Sequence, residues 1–123
     1  MNKNCKPREL YDAADKYGIV SVLSMFGTDI RVHIPMTVTL WDTSIDELNL
    51  SVRARNGLMR AGTDTIGKVS ELIMNDNGLN KVRNLGKKSV SEIKTALLVE
   101  GYNNLDPASR LEFWHDFIDN NSI

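Results

Sequence analysis

The chain has 123 residues, of which 41% are hydrophobic and 25% charged, and its formal net charge is −1. This length suits one domain with a modest core and a short extension. The single cysteine, Cys5, excludes an intrachain disulfide framework. No apolar run approaches the roughly 20 residues of a membrane helix. We therefore expect a soluble, cytoplasmic protein that does not contact a membrane.

The N-terminal extension is predicted to contain one helix and a β-hairpin. Pro7 suits the first position of a helix that ends before Gly18. Residues 19–26 are rich in β-branched side chains, and apolar residues alternate over residues 30–40, which indicates two strands. Pro35 interrupts the second segment, so this segment is either an edge strand or two short strands. An exposed edge strand offers a route to a homo-oligomer through the extension.

Beyond residue 42 the pattern is that of short helices. Ser51 and Thr65 are suited to cap two of them, and Gly62 ends the first. The last helix begins at Pro107. We therefore predict a mainly α protein: a compact bundle of short helices over residues 43–123, preceded by a small α+β extension over residues 1–42.

Basic residues are concentrated in the middle of the sequence. Between Ser51 and Lys94 there are nine basic and four acidic residues, a local net charge of +5, whereas the remainder carries −6. A basic middle between acidic ends is a plausible footprint for DNA or RNA. The alternative is that these side chains form ordinary solvated helix surface.

The run from Asn84 to Lys94 has the chemistry of a phosphate site. Gly86 permits a tight turn and a close approach of the backbone to an anion, and Lys87, Lys88 and Ser89 follow at the start of a helix. We expect this helix to stop at Gly101. With the apolar pair Leu79 and Val82 before it, the run has the outline of a helix-hairpin-helix.

The middle of the sequence resembles the C-terminal domain of the bacterial RNA polymerase alpha subunit from about residue 44 to 101. The resemblance is carried by Val52, Arg53, Asn56 and Leu58, by the pair Ile66-Gly67, by the NLGKKS..EIK run at 84–94, and by an RLE.W echo at 110–114. The large N-terminal domain of that subunit has no counterpart in the sequence, and residues 1–42 resemble neither it nor the family's linker. We therefore expect a stand-alone protein rather than a polymerase subunit.

The resemblance implies a non-enzymatic DNA-binding protein of transcription or its regulation, which contacts the minor groove and phosphates of A·T-rich double-stranded DNA. A guanidinium group fits the narrow, electronegative minor groove of A·T tracts, and lysine and serine side chains suit phosphates. We expect Glu92 to orient Arg53 or a bound water. By matching position, the DNA-binding residues are Arg53, Asn56, Asn84, Gly86, Lys88, Ser89 and Glu92.

An alternative function is a protein-interaction adaptor or decoy for sigma factor, transcription activators or RNA polymerase, with little DNA contact. The family's sigma-facing acidic strip falls on Asp46, Glu47 and Asn49, and the asparagine departs from it. A third interpretation, a helix-hairpin-helix accessory to DNA repair, explains Gly86 but not the match at Arg53 and Asn56.

The sequence offers little for catalysis or metal binding. His33 and His115 have no neighbours at metal-ligand spacing, and Cys5 stands alone. The carboxylates are scattered and suggest neither a Ser/His/Asp arrangement nor a pair of acids. We therefore expect no enzymatic activity, no metal and no cofactor.

Overall fold

A computed structural model describes residues 6–27, 30–33, 35, 37–74, 78–83 and 85–121. The regular structure of these residues consists of helices, as the predicted mainly α class requires. Two compact units make up the protein: a central unit over Met36–Gly101, and a terminal unit that joins Met1–Pro35 to Tyr102–Ile123. The α-helices are α1 Pro7–Tyr17, α2 Ile19–Ser24, α3 Val38–Trp41, α4 Val52–Arg60, α5 Ile66–Met74, α6 Lys87–Asn103 and α7 Pro107–Asn121, and two 3₁₀ helices span Ile45–Leu48 and Gly78–Lys81.

The central unit is a bundle of short helices around one apolar core. α5 packs against α3 and against the second 3₁₀ helix. Each short helix contributes one or a few side chains to the core, because a helix of one to three turns presents only a narrow apolar stripe. The buried core residues are Leu40, Ile45, Leu48, Ala54, Leu58, Ile66, Val69, Leu79, Leu85, Val90 and Ile93.

Trp41 and Gly67 form a close contact in the central unit. A Cβ atom placed on Gly67 would lie 2.5 Å from three atoms of the Trp41 indole ring. Since real Cβ atoms do not approach other heavy atoms so closely, the indole ring needs a glycine at this position of α5. The Ile66-Gly67 pair therefore has a packing reason.

The terminal unit is built on α1 and its contacts with α2 and α7. Its interior holds an aromatic cluster in which the Nε1–H of Trp114 donates to the hydroxyl of Tyr102 over 2.8 Å. Burial raises the pKa of that hydroxyl above its ordinary value. Trp114 is fully buried, so this bond gives the indole N–H the partner that a buried donor requires.

The helix α6 does not stop at Gly101, and the expected end there is wrong. The helix continues to Asn103. The guanidinium of Arg110 donates to the carbonyls of Tyr102 and Asn103 over 3.2 and 2.9 Å, which satisfies backbone acceptors left open at the helix end. The RLE.W echo thus supplies both this cap and the buried Trp114.

The predicted β-hairpin is also wrong where the structure describes it. Residues 19–24 form α2, in which Ile19, Val22 and Leu23 are buried at helical spacing while Val20 is 41% exposed. Within the second predicted strand, the described residues 30–33, 35 and 37 form no strand, and α3 begins at Val38. Ile34, Met36 and the proposed turn at 28–29 lie outside the described residues. A lone two-stranded hairpin is marginal in water, so packing of α2 overrode β-propensity.

The two units also divide the sequence differently from the predicted boundary between residues 42 and 43. The central unit begins at Met36, and α7 belongs with the N-terminal helices. None of the helices among the described residues is long and apolar enough to cross a membrane.

Candidate nucleic-acid interface

The start of α4 carries the first two predicted site residues. Ser51 is the N-cap: its Oγ accepts the backbone N–H of Ala54 over 3.2 Å. Arg53 is the second helical residue, and Asn56 follows three positions later on the same face. Both side chains are exposed. The start of α4 therefore presents a guanidinium and an amide to solvent.

The start of α6 carries the next group. The N–H of Val90 donates to the carbonyl of Gly86 over 3.0 Å, which closes the first turn. Gly86, Lys87 and Lys88 are exposed at this end. The first backbone N–H groups of a helix have no partner within it, and they lie at the positive end of the helix dipole. This turn can therefore hold an anion with both backbone and lysine donors.

Gly86 does not have the positive φ for which a tight turn often requires glycine. Positive φ angles among the described glycines occur at Gly18, Gly27 and Gly62, not at Gly86. A Cβ on Gly86 would have no described heavy atom within 4 Å. The fold itself therefore tolerates a larger residue there, and the space beside the backbone is open to an approaching ligand.

Two contacts hold the start of α6 against α4. The N–H of Ser51 donates to Oε2 of Glu92 over 2.6 Å, and the Ser51 Oγ–H donates to Oε1 over 2.8 Å. A Cβ on Gly57 would lie 2.5 Å from Cδ2 of Leu85, so this leucine packs directly on the α4 backbone. The two helix starts are thus joined within the central unit.

This arrangement places Arg53 and Lys88 near the junction. Arg53 lies two residues after Ser51, and Lys88 lies one helical turn before Glu92 on the same face of α6. Neither side chain forms an ion pair with another described residue. Within the described ranges, the unpaired cations Arg53 and Lys88, with Lys87 beside the latter, therefore lie at adjoining helix starts.

Glu92 does not contact Arg53 among the described interactions; its two oxygens accept from Ser51 instead. The hydrogen bonds of Glu92 thus reach the start of α4 rather than the guanidinium. Sequence reasoning identified Ser51 as a cap but missed this partner. One weak signal was available: Ala54 occupies the position where a capping box has Glu or Gln, which leaves the backbone N–H of Ser51 open to another acceptor.

One predicted site residue differs from its expected exposure, and one is not described. Ser89 is 7% exposed, so its side chain is largely covered. Asn84 lies outside the described residues. Of the predicted set, the structure brings Arg53, Asn56, Gly86, Lys88 and Glu92 together around the joined starts of α4 and α6.

Two other cations of the central unit, Arg55 and Lys68, are paired. Arg55 contacts Asp46 at 2.5 Å, and Lys68 contacts Asp64 at 2.9 Å. The hydrogen bond from Arg55 lowers the pKa of the Asp46 carboxyl below its ordinary value. On α4, positive charge is therefore available to a ligand at Arg53 rather than at Arg55.

The predicted protein-contact residues lie on the first 3₁₀ helix. Asp46 is held by Arg55, whereas Glu47 is exposed. Asn49 ends this helix with φ of 58°, a left-handed conformation that asparagine tolerates better than most residues. Among the residues that the structure describes, no group of three or more His, Cys, Asp or Glu is arranged to hold a metal ion.

Fold and site together define a small helical domain with a cationic surface formed by two joined helix starts. The protein belongs to the family of the C-terminal domain of the bacterial RNA polymerase alpha subunit, whose profile matches residues 36–98. The matched residues nearly coincide with the central unit. The resemblance inferred from the sequence is thereby confirmed.

Curated relatives are DNA-directed RNA polymerase alpha subunits. The sequence is 46% identical over 63 residues to that of Roseiflexus sp. (strain RS-1), which covers 51% of this protein and 19% of the relative. It is 48% identical over 62 residues to the subunit of Symbiobacterium thermophilum, and the match covers 50% of this protein and 19% of the relative. It shares 37% identity over 100 residues with the subunit of Moorella thermoacetica, and the match covers 74% of this protein and 31% of the relative. The matches thus span between a fifth and a third of the length of these relatives. No solved structure matches the sequence significantly.

Proposed function

We propose that this protein binds double-stranded DNA through the joined starts of α4 and α6, in transcription or its regulation. Membership in the alpha C-terminal domain family supports a DNA-binding, transcription-related role, and the homologous domain is non-catalytic. The observation that carries the proposal is the pair of exposed cations, Arg53 and Lys88, which have no ion-pair partner among the described residues and lie at the joined starts of α4 and α6, where the space beside Gly86 is open.

The finer proposal is that Arg53 enters an A·T-rich minor groove while the start of α6 holds a phosphate. A narrow A·T groove has an enhanced negative potential that attracts arginine. Gly86 and Lys88 supply a close backbone and a charge for the phosphate, and Asn56 reaches sugars or base edges from the same face as Arg53. Lysine and arginine contacts of this kind make affinity fall as salt rises.

The test is a fluorescence-anisotropy titration of A·T-rich and G·C-rich duplexes at two salt concentrations. We expect tighter binding to the A·T duplex. We also expect the logarithm of the association constant to fall linearly with the logarithm of the salt concentration, with a slope of about −0.9 per phosphate neutralised. Arg53→Ala should remove most of the binding. Arg60→Ala is the matched control, because it removes the same charge from the opposite end of α4. Equal losses in both variants, or affinity that is flat in salt, would contradict the proposal.

A second candidate is the adaptor or decoy that binds sigma factor, activators or RNA polymerase. The observation that favours it is Glu47, an exposed carboxylate without an ion-pair partner among the described residues. The test uses purified RNA polymerase and sigma factor with the doubly substituted Arg53→Ala, Lys88→Ala protein. Retained binding that Glu47→Ala abolishes would favour the adaptor; no binding to either protein would reject it.

A further inference from the structure

Glu92 is an acid within a surface proposed to bind a polyanion. We propose that Glu92 is a positioning residue: it holds the start of α4 through Ser51, so that Arg53 is presented to DNA, and it makes no DNA contact itself. This inference rests on the proposed function and assigns a role within that site.

The hydrogen bonds support a positioning role. Glu92 accepts from both the backbone N–H and the hydroxyl of Ser51, over 2.6 and 2.8 Å. Ser51 in turn accepts from the N–H of Ala54. Glu92 therefore completes a capping box from 41 residues away, in place of the acid that usually lies three positions after the cap. A shift of this carboxylate moves the first turn of α4, which carries Arg53.

The chemistry of the groove argues against a direct contact. Adenine N3 and thymine O2 in the minor groove are acceptors, and so are phosphate oxygens. An ionised carboxylate is also only an acceptor, so it has no donor to meet on an A·T minor groove. Its negative charge next to phosphates is repulsive, whereas at the N-terminus of α4 the helix dipole stabilises it.

The first experiment measures whether Glu92→Ala raises or lowers the affinity for DNA. Glu92→Ala removes a negative charge, which by electrostatics alone raises affinity for DNA. If the carboxylate positions α4, affinity for the A·T duplex falls instead, by about fivefold, the size of a lost cap. Glu71→Ala is the matched control, since it removes an exposed carboxylate from α5, and we expect affinity equal to or above that of the unchanged protein.

The second experiment distinguishes positioning from general destabilisation. In the Glu92→Ala background, adding Arg53→Ala should cost less affinity than it does in the unchanged protein, because Arg53 is already misplaced. Adding Lys88→Ala should cost as much as before. Ser51→Thr keeps the hydroxyl and should retain DNA binding. Ser51→Ala should lose about as much affinity as Glu92→Ala. In the Ser51→Ala background, Glu92→Ala should then have a smaller effect on affinity than it has alone. Circular dichroism at the assay temperature verifies that each variant is folded.

Each outcome decides the inference. Tighter DNA binding by Glu92→Ala overturns the positioning role while leaving DNA binding intact. The same holds if the affinity lost in the Ser51, Glu92 double variant equals the product of the two single losses, because the residues then act independently. Equal reductions of the Arg53 and Lys88 effects also overturn it, because they indicate loss of structure. An unchanged protein that binds neither duplex overturns the proposed function and this inference together.

Discussion

A glycine can be required by the backbone conformation or by a ligand that approaches the backbone closely, and Gly86→Ala distinguishes these two reasons. The added Cβ meets no described atom within 4 Å, and the backbone is not left-handed, so the fold accommodates alanine. Alanine reduces the entropy of the unfolded state, which stabilises by about 0.4–1 kcal/mol. Alanine is also the poorer residue at a helix start, which costs about 0.5–1 kcal/mol. The two effects nearly cancel, so we expect a melting temperature within about 4 °C of the unchanged protein.

The effect of Gly86→Ala on DNA binding should be much larger. A methyl group in the open space keeps a phosphate from the first N–H groups of α6. Loss of one charge-assisted hydrogen bond costs about 1.5–3 kcal/mol, which is tenfold or more in affinity. The assay is anisotropy titration of an A·T-rich duplex, together with a thermal melt of the same sample.

Gly62→Ala is the opposite control for this experiment. Gly62 has φ of 75° and lies just beyond the far end of α4. Alanine in this conformation costs about 1–2 kcal/mol. We therefore expect a lower melting temperature with unchanged DNA affinity. If Gly86→Ala keeps full affinity, or if it unfolds the protein while Gly62→Ala does not, the interpretation of Gly86 as an open ligand approach is refuted.

Three further predictions concern stability. Gly67→Ala pushes a Cβ into the Trp41 ring, so the urea midpoint should fall with a loss of about 1–3 kcal/mol; no change would mean that the indole moves freely. Trp114→Phe leaves the Tyr102 hydroxyl without its buried donor, and a thermal melt should report a loss of about 1–3 kcal/mol. A backbone N–H bond lowers the pKa of Asp106 in the folded state, so the stability it contributes is present above about pH 4 and lost as pH falls further. Urea midpoints between about pH 5 and 2 should fall less steeply for Asp106→Asn.

Much of the central unit could be predicted from the sequence because its signals are local. Ser51 and Thr65 cap the helices assigned to them, since a hydroxyl and the N–H three residues later are fixed by backbone geometry. Asp106 caps α7 in the same way. The mainly α class follows from such signals together with apolar spacing of three and four residues.

The terminal unit could not be predicted because its determinants are long-range. The short apolar run at residues 19–26 suits a strand as well as a helix, and the packing partner that decides between them is not apparent from the local pattern. Likewise, the hydrogen bonds of Arg110 that sustain α6 to Asn103 come from the next helix. Gly101 lies within α6, so a glycine does not by itself mark the end of a helix.

In the candidate site, too, the local sequence indicates the residue types but not which charged side chains form ion pairs. Residue types at Arg53 and Lys88 were apparent from the sequence, but which cations are paired was not. Arg55 lies two positions from Arg53, yet it is neutralised by Asp46. A net charge of −1 therefore says little about an anionic ligand, because acids elsewhere in the sequence neutralise some cations and leave others. Both oxygens of Glu92 accept hydrogen bonds from Ser51, so the carboxylate within the site forms no direct ion pair with Arg53 among the described residues.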